Sequence, residues 1–369
     1  MHHTDICIAG AGIIGLSLAL ELHRHGLSIT VFDQAQPLGE ASTAAAGMLA
    51  AGDPDNPAPL RPLADLSLSL YPAFLNRLHE LSGIAVHFHT SQTLQAQTSS
   101  SLDTLSPEAL GRILPPLTPH HHHFTLIDEH SLDPRNLAAA LLAAVRATTI
   151  DLQSNTKVLS TSTQSIDDSV EVHTTQGIFH AAKFVNCTGA WATHSSLAPS
   201  LVIAPRKGQM MAIAIPPTLS LPLVVRTHGM YIVPRTTGPN KGRAIIGATI
   251  EDAGFDKIVH PADIAHLRAL ATNLLPPLAD ALQLEVWAGL RPSTPDGLPF
   301  LGPSPDHRNQ FVAAGHYRNG ILLAPATAHV MTQIILNQQV AIDLSDYSPS
   351  RSLASPSIAH RSRYSRTLP

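Results

Sequence analysis

The chain has 369 residues, of which 44% are hydrophobic and only 14% charged, and its formal net charge is -4 at pH 7. That length supplies one large domain or two interleaved ones with ample core, and with charge well below the about 25% of an average domain, Ser, Thr, Gln and His must carry much of the polar surface. The near-neutral balance, without a basic stripe, argues against a nucleic-acid partner, and no apolar run approaches the about 18 residues of a membrane span.

The N-terminus, MHHTDICIAGAG, enters a strand without a basic segment or an A-x-A cleavage site, so a cytoplasmic location is expected. Residues 4 to 9 read as an apolar strand, 12 to 25 as an amphipathic helix and 28 to 33 (SITVFD) as a second strand, together a βαβ unit. Its turn is GAGIIG, in which Gly10, Gly12 and Gly15 allow a tight turn, close approach of the backbone to a pyrophosphate and close packing of helix on strand. Ile13 and Ile14 open the helix whose N-terminus faces the phosphate. Asp33, 18 residues after Gly15 and followed by Gln34, ends the second strand where a carboxylate can accept hydrogen bonds from a ribose diol. The fingerprint by itself does not separate NAD from FAD.

The next segment, GEASTAAAGMLAAG, is rich in small residues. Ser42 and Thr43 offer hydroxyls and backbone donors, while the run from Ala44 through Ala46 and Gly47 to Met48 permits close approach of something flat or extended. Residues 90 to 125, rich in Ser, Thr, Gln, Pro and His, belong to loops or edge strands of a second region. The run His120 to His123 cannot all face one metal in regular structure, and no Cys or acid lies at a recognised ligand spacing, so no metal site is assigned.

A helix is expected over 131 to 149 with Pro134 near its start, then strands at 155 to 160, where Val158 is expected to contact the bound cofactor, and at 169 to 173. KFVNCTGAW forms a strand ending in Thr188, Gly189 and Ala190, a second glycine turn that implies a ligand longer than a mononucleotide. Cys7 and Cys187 sit in apolar strands and read as buried, reduced thiols. Between 201 and 258 short strands alternate with turns (QMMAIAI, MYIVPR, RAIIGATI), an antiparallel pattern. A helix over 261 to 283, interrupted by Pro276 and Pro277, precedes EVWAGLRPSTPDGLPFLG.

The expected fold is α/β (α+β overall): a Rossmann-like nucleotide domain from residues 1–82, 131–200 and 286–345, interleaved with a mixed, mostly antiparallel β-sheet substrate domain from 83–130 and 201–285. The polar stretch 346–369 reads as a disordered tail.

GAGIIG, STAAAGMLAA, RKGQ, YIVPR, IIGATIEDAGF, WAGLRPSTPDGLPFLG and GHYRNGILLAP occur in that order, and with them the chain from about residue 4 to 340 resembles the glycine oxidases of the D-amino-acid oxidase superfamily. The resemblance implies an FAD flavoprotein. In the related sarcosine oxidases a cysteine near the flavin makes a covalent link; this segment has none, so noncovalent FAD is implied.

In GHYRNGILLAP, Gly320 starts a helix with an apolar body from Ile321 and Leu322 to about Leu336, and Pro325 is expected to be tolerated as a first-turn residue. The free donors and partial positive charge of such a helix start suit a reduced flavin, with His316, Tyr317 and Asn319 forming the approach loop. By similarity to the glycine oxidases, Arg318 projects toward the bound amino acid. Arg291, a cation at the end of the apolar strand WAGLRP, needs an anion, and its planar fork matches a carboxylate; Tyr231 can add a phenolic hydrogen bond. No catalytic triad or metal constellation gathers around these motifs, so the flavin would carry the chemistry.

The expected reaction is oxidative deamination of glycine, sarcosine or small D-amino acids by hydride transfer, with molecular oxygen as acceptor and hydrogen peroxide as product. In the resembled family, the imine of glycine feeds thiazole formation in thiamine biosynthesis. A flavin dehydrogenase passing electrons to a quinone and a flavin-binding protein without turnover remain the alternatives, and a homo-oligomer is compatible with each.

Overall fold

Parallel pairing on both sides explains the unbroken apolar run near the N-terminus. In the computed structural model, which describes residues 3–164, 168–193 and 197–353, β1 (His3–Ala9) leads through α1 (Ile13–Arg24) into β2 (Ile29–Phe32). β2 lies parallel to β1, with Ile6 opposite Ile29 and Ala9 opposite Phe32, and all four of its residues are buried. Strands covered on both faces need no polar alternation.

The chain continues through α2 (Ala41–Ala44), α3 (Arg61–Ser82), β3 (Phe88–Gln97), α4 (Pro107–Ile113), β4 (His123–Leu132), α5 (Pro134–Arg146) and β5 (Asp151–Gln153). β6 (Val158–Thr163), β7 (Val170–Thr174) and β8 (Gly177–Asn186) form an antiparallel meander, and β8 returns parallel to β1 on the side away from β2. After β9 (Ala204–Ala214), β10 (Val224–Arg226), β11 (Tyr231–Pro234) and β12 (Arg243–Gly247) come α6 (Pro261–Leu274), β13 (Gln283–Ser293), β14 (Phe300–Pro303), β15 (Gln310–Ala314) and α7 (Gly320–Ile335).

These strands make two sheets. The first has the order β14-β15-β8-β1-β2-β5, with β7 and β6 branching from β8; the second has the order β13-β9-β12-β11-β10-β3-β4 and is antiparallel except where β10 meets β3. The fold is therefore the mixed α/β type expected, a Rossmann-like unit interleaved with a mostly antiparallel sheet. Leu16, Leu63, Leu141 and Leu323 bring α1, α3, α5 and α7 together over one face of the first sheet. Val158, Val170 and Val172 cover its other face against Phe32 and Phe184. In the second sheet, period-2 alternation sends Met211, Ile213 and Ile232 toward α4 and α6. The intervening Ala212 and Val233 face the opposite way, toward Ala46.

Several boundaries differ from the expectation. Ser131 and Leu132 belong to β4, and α5 begins at Pro134 behind Asp133, whose carboxylate accepts the Arg135 N–H at 2.9 Å. α6 stops at Leu274, and Pro276–Leu278 is a separate 3-10 turn, because consecutive prolines cannot continue the ladder. β13 pairs with β9 as far as Ser293, so residues 286–293 lie in the second sheet rather than in the nucleotide unit. The expected tail disorder does not hold for 346–353. Tyr347 is buried, and the Arg351 guanidinium makes two hydrogen bonds to Asp296, at 2.8 and 2.9 Å, while lying 4.0 Å over the Phe300 ring. Residues 354–369 fall outside the described residues.

Pro325 also needs a different account. Gly320 is the first residue of α7, so Pro325 lies beyond the first turn, at a position whose N–H would normally bond the Ile321 carbonyl. The Tyr71 hydroxyl replaces it, donating to Ile321 O at 2.5 Å. Ser67 Oγ donates to Leu322 O at 2.6 Å and accepts the Ala326 N–H at 3.2 Å. Tyr71→Phe should therefore cost about 1–3 kcal/mol, because it leaves a buried carbonyl without a donor. In a Pro325→Ala background the restored N–H should shrink that cost. Denaturant unfolding of the four proteins checks this, and an equal cost in both backgrounds would reject it.

Candidate functional site

The glycine turn emerges between the C-terminal ends of β2 and β8, the position at which an open parallel sheet presents a ligand crevice. Gly10 has φ +99°, and a Cβ there would collide with Cys187 O, so the turn passes close under the end of β8. A Cβ on Gly15 would collide with Gly10 O, which is why helix and strand can pack so closely. Gly12, Ile13 and Ile14 line the cleft, and the first turn of α1 carries no acidic side chain. Ser42 Oγ accepts the Ile13 N–H at 2.9 Å. Asp33 braces the turn from behind: Oδ2 accepts the Ala11 N–H at 2.8 Å and Oδ1 the Ala35 N–H at 2.9 Å, while Gln34 is exposed.

The cleft runs from this turn to the second sheet, with an empty volume of about 1570 Å³ including its open mouth. Ser42, Ala46, Gly47 and Met48 form one side of it and Gly189, at φ +58°, another. The second sheet pins the small-residue segment from outside. Arg235 Nη2 donates to Ala46 O at 2.8 Å, and the Trp287 indole N–H donates to Ala44 O at 3.0 Å. Seven of the expected residues are not on the cleft wall: Gly10 and Gly15 shape the turn beneath it, Asp33 and Gln34 lie behind that turn, and Thr43, Val158 and Leu322 are engaged elsewhere. Thr43 turns its hydroxyl to Leu38 O at 2.9 Å, Val158 is buried with Cys7 and Phe32, and Leu322 packs inside the helix core. Cys7 and Cys187 are both buried and free.

Across the cleft, the second sheet presents Tyr231, Met210, Gly289 and Arg291. Three glycines inside strands make the space. A Cβ on Gly208 would strike the Arg291 guanidinium, one on Gly247 would fall 2.6 Å from the Tyr231 hydroxyl, and one on Gly289 would fall 2.6 Å from Ala44 Cβ. Arg291 Nη1 donates to two backbone carbonyls, Lys207 O at 3.4 Å and Thr249 O at 3.2 Å. Among the described residues it forms no ion pair, which leaves a partly buried cation with its charge uncompensated beside Tyr231. Burial raises the Tyr231 phenol above its ordinary pKa, an effect opposed by Arg291; Tyr231 is thus a neutral hydrogen-bonding group at pH 7.

The approach to α7 closes the third side. Tyr317, at φ +48°, donates its N–H to Pro292 O at 2.7 Å, and Asn319 Nδ2 donates to Asn56 Oδ1 at 3.0 Å. Gly320 and Ile321 line the cleft with them. His316 is 3% exposed, and its Nε2 lies 3.0 Å from Thr327 Oγ1. Arg318 is not free to reach outward: Nη2 lies 3.2 Å from Asp53 Oδ2 and Nη1 3.7 Å from Asp55 Oδ2. The guanidinium expected to meet the substrate already has protein carboxylates for partners.

Burial pushes the His316 imidazole from its ordinary 6.5 down to about 3, so between those values the unfolded chain takes up a proton that the folded one refuses. The stability tied to neutral His316 is complete above about pH 6.5 and is lost as pH falls toward about 3. His316→Asn should flatten the acid side of the Tm against pH curve, and an unchanged slope would count against it.

Asp53, Asp55, Gln95 and Arg226 also line the cleft, and Glu129 stands behind them; sequence reasoning passed over all five. Asp53 and Asp55 sit in a Pro-rich loop and resemble turn formers. Gln95 and Glu129 lie in polar strand sequence, where a buried polar side chain leaves no local mark. The usable signal was glycine within strands, at positions 208, 247 and 289.

A glycine turn that a Cβ would block, a helix N-terminus without competing acids and a second glycine turn beside it fit the pyrophosphate and extended length of a flavin dinucleotide. The FAD dependent oxidoreductase family profile (DAO) matches residues 5–334, and the chain belongs to that family, with FAD as its cofactor. It is similar to the glycine oxidase of Geobacillus kaustophilus, 32% identical over 95% of this chain and 97% of that protein. The crystal structure of glycine oxidase from that species aligns with TM-score 0.89 and 31% identity, covering 96% of this chain and 100% of that one. The bifunctional protein ThiO/ThiG of Trichormus variabilis is 34% identical over 98% of this chain, which spans 58% of that longer protein.

Proposed function

We propose that this member of the FAD dependent oxidoreductase family is an amino acid oxidase acting on glycine and other small amines that carry a carboxylate, such as sarcosine and small D-amino acids. The carrying observation is Arg291, an uncompensated guanidinium at the cleft beside a protonated phenol. Gly10, Gly12, Ile13, Ile14, Gly15 and Asp33 would hold the pyrophosphate and ribose, and Ser42, Ala46, Gly47, Met48 and Gly189 the extended body. His316, Tyr317, Asn319, Gly320 and Ile321 would face the flavin end. FAD, when bound, would supply the two-electron redox chemistry, coupling oxidation of the amine to reduction of oxygen to hydrogen peroxide, and the imine product would hydrolyse to a 2-oxo acid and ammonia.

The protein's own contribution is binding and orientation. The Arg291 fork takes the substrate carboxylate in bidentate geometry, and the Tyr231 hydroxyl adds a third hydrogen bond. Tyr231 stays protonated because burial opposes its ionisation. His316, neutral and engaged with Thr327, is not available as a general base, which is consistent with reaction of the neutral amine. The similarity to ThiO/ThiG supports a role in supplying the thiazole of thiamine. No helix among the described residues is long and apolar enough to cross a membrane, and a cytoplasmic enzyme is the reading we favour.

Purified protein should be yellow, release FAD on acid denaturation, and produce catalase-sensitive peroxide with glycine, sarcosine or D-alanine. Bulky D-amino acids should react more slowly and L-enantiomers not at all. Anaerobic bleaching without peroxide in air would identify a dehydrogenase instead, and no bleaching by any small amino acid would overturn the reading.

A further inference from the structure

Three guanidinium groups line the cleft among the described residues: Arg226, Arg291 and Arg318. Two of them are neutralised by the protein. The Asp53 carboxylate, with a side chain 9% exposed, stands between them, Oδ2 lying 3.2 Å from Arg318 Nη2 and 3.7 Å from Arg226 Nε. Arg226 is 4% exposed and is held from behind by Glu129 Oε2 at 3.0 Å, and its Nε also bonds Gln95 Oε1. Asp55 Oδ2 lies 3.7 Å from Arg318 Nη1 and 3.8 Å from His228 Nδ1. Around Arg226 and Arg318 there are thus two fixed cations and three carboxylates, and only Arg291 keeps an uncompensated charge. Arg291 and Arg318 line the same cleft, with Tyr231.

We propose that Asp53, assisted by Asp55, is a specificity residue that restricts the substrate to a single carboxylate. This rests on the amino acid oxidase reading above and adds to it the charge class of substrate that the cleft accepts. A substrate anchored by one carboxylate at Arg291 would direct a second anionic group toward Arg318, where the cation is already paired. That group meets excess negative charge in a partly desolvated wall, where like charges cost more than they do in water. Removing the charge of Asp53 exposes the Arg318 fork to a second carboxylate.

The test compares FAD-loaded wild type, Asp53→Asn and Asp55→Asn on iminodiacetate and on N-carbamoylmethylglycine, a neutral-amide counterpart of nearly equal size. The ratio of kcat/KM values, dianion over amide, should rise at least about tenfold in Asp53→Asn and less in Asp55→Asn, because misplaced like charge at an interface can cost several tenfold steps. A folded, flavin-loaded Asp53→Asn whose ratio is unchanged overturns the proposal, as does an equal gain on the amide, which would mean a steric effect. Should Asp53→Asn fail to fold with Arg226 unbalanced, the more exposed Asp55→Asn decides by the same ratio. Binding read from the flavin absorbance separates the two levels of inference: wild type should prefer acetate to malonate, and the variants should gain malonate. That preference holding while no amine is oxidised would reject only the assigned reaction, whereas malonate binding as tightly as acetate to wild type would reject the filter.

Discussion

Arg291→Ala should raise the KM for glycine by a factor on the order of 30 or more while leaving FAD content near normal. The side chain enters the cleft from β13, rests over the Cβ-free surface of Gly208 and donates to Lys207 O and Thr249 O. Those carbonyls orient the guanidinium without cancelling its charge, so a substrate carboxylate would be its only full counter-ion. Removing one partner of a desolvated charge pair costs about 2–5 kcal/mol, against less than about 1 for an exposed pair, and each 1.4 kcal/mol is about tenfold. Arg291→Lys keeps the charge but loses the planar fork and should recover only part of the loss. An amine without a carboxylate should be equally poor with wild type and Arg291→Ala, since neither offers it that interaction. Unchanged glycine kinetics in a folded, FAD-loaded Arg291→Ala protein would place the clamp elsewhere.

Replacing Gly12 by leucine should abolish FAD uptake while leaving a folded, colourless protein. Gly12 has φ -78° and ψ -175°, a backbone that any residue adopts, and the nearest protein atom to a Cβ there is Ser42 Oγ at 3.4 Å. The protein can therefore accommodate the side chain, but the cleft that Gly12 lines cannot remain open to a pyrophosphate. Gly15→Leu should behave differently. Its Cβ would collide with Gly10 O, forcing α1 off β1, so the fold itself should be lost or strongly destabilised. Flavin absorbance together with far-UV circular dichroism separates the two outcomes. A yellow Gly12→Leu protein would disprove the assigned role of that position.

Elements whose causes are local can be read directly from the order of residues. Glycine spacing and strand periodicity around GAGIIG were sufficient to place β1, α1 and β2, because the turn, the helix start and the buried strands depend on residues within a few positions of one another. The apolar neighbours of Arg291 likewise marked it as a cation that needs an anion. Boundaries set by partners distant in the chain were not legible: β13 extends to Ser293 because β9 pairs with it, and Arg351 is ordered because Asp296 and Phe300 receive it. Pro325 persists in α7 because Tyr71, 250 residues away from Ile321 in sequence, supplies the missing donor. Residues remote in sequence likewise set the cleft's charge balance. Arg318 looks free in GHYRNG, and only the tertiary structure brings Asp53 and Asp55 against it and Glu129 behind Arg226. Charge compensation is a through-space property, falling off with separation and local dielectric rather than with sequence distance, so which guanidinium remained unpaired was decided by the fold.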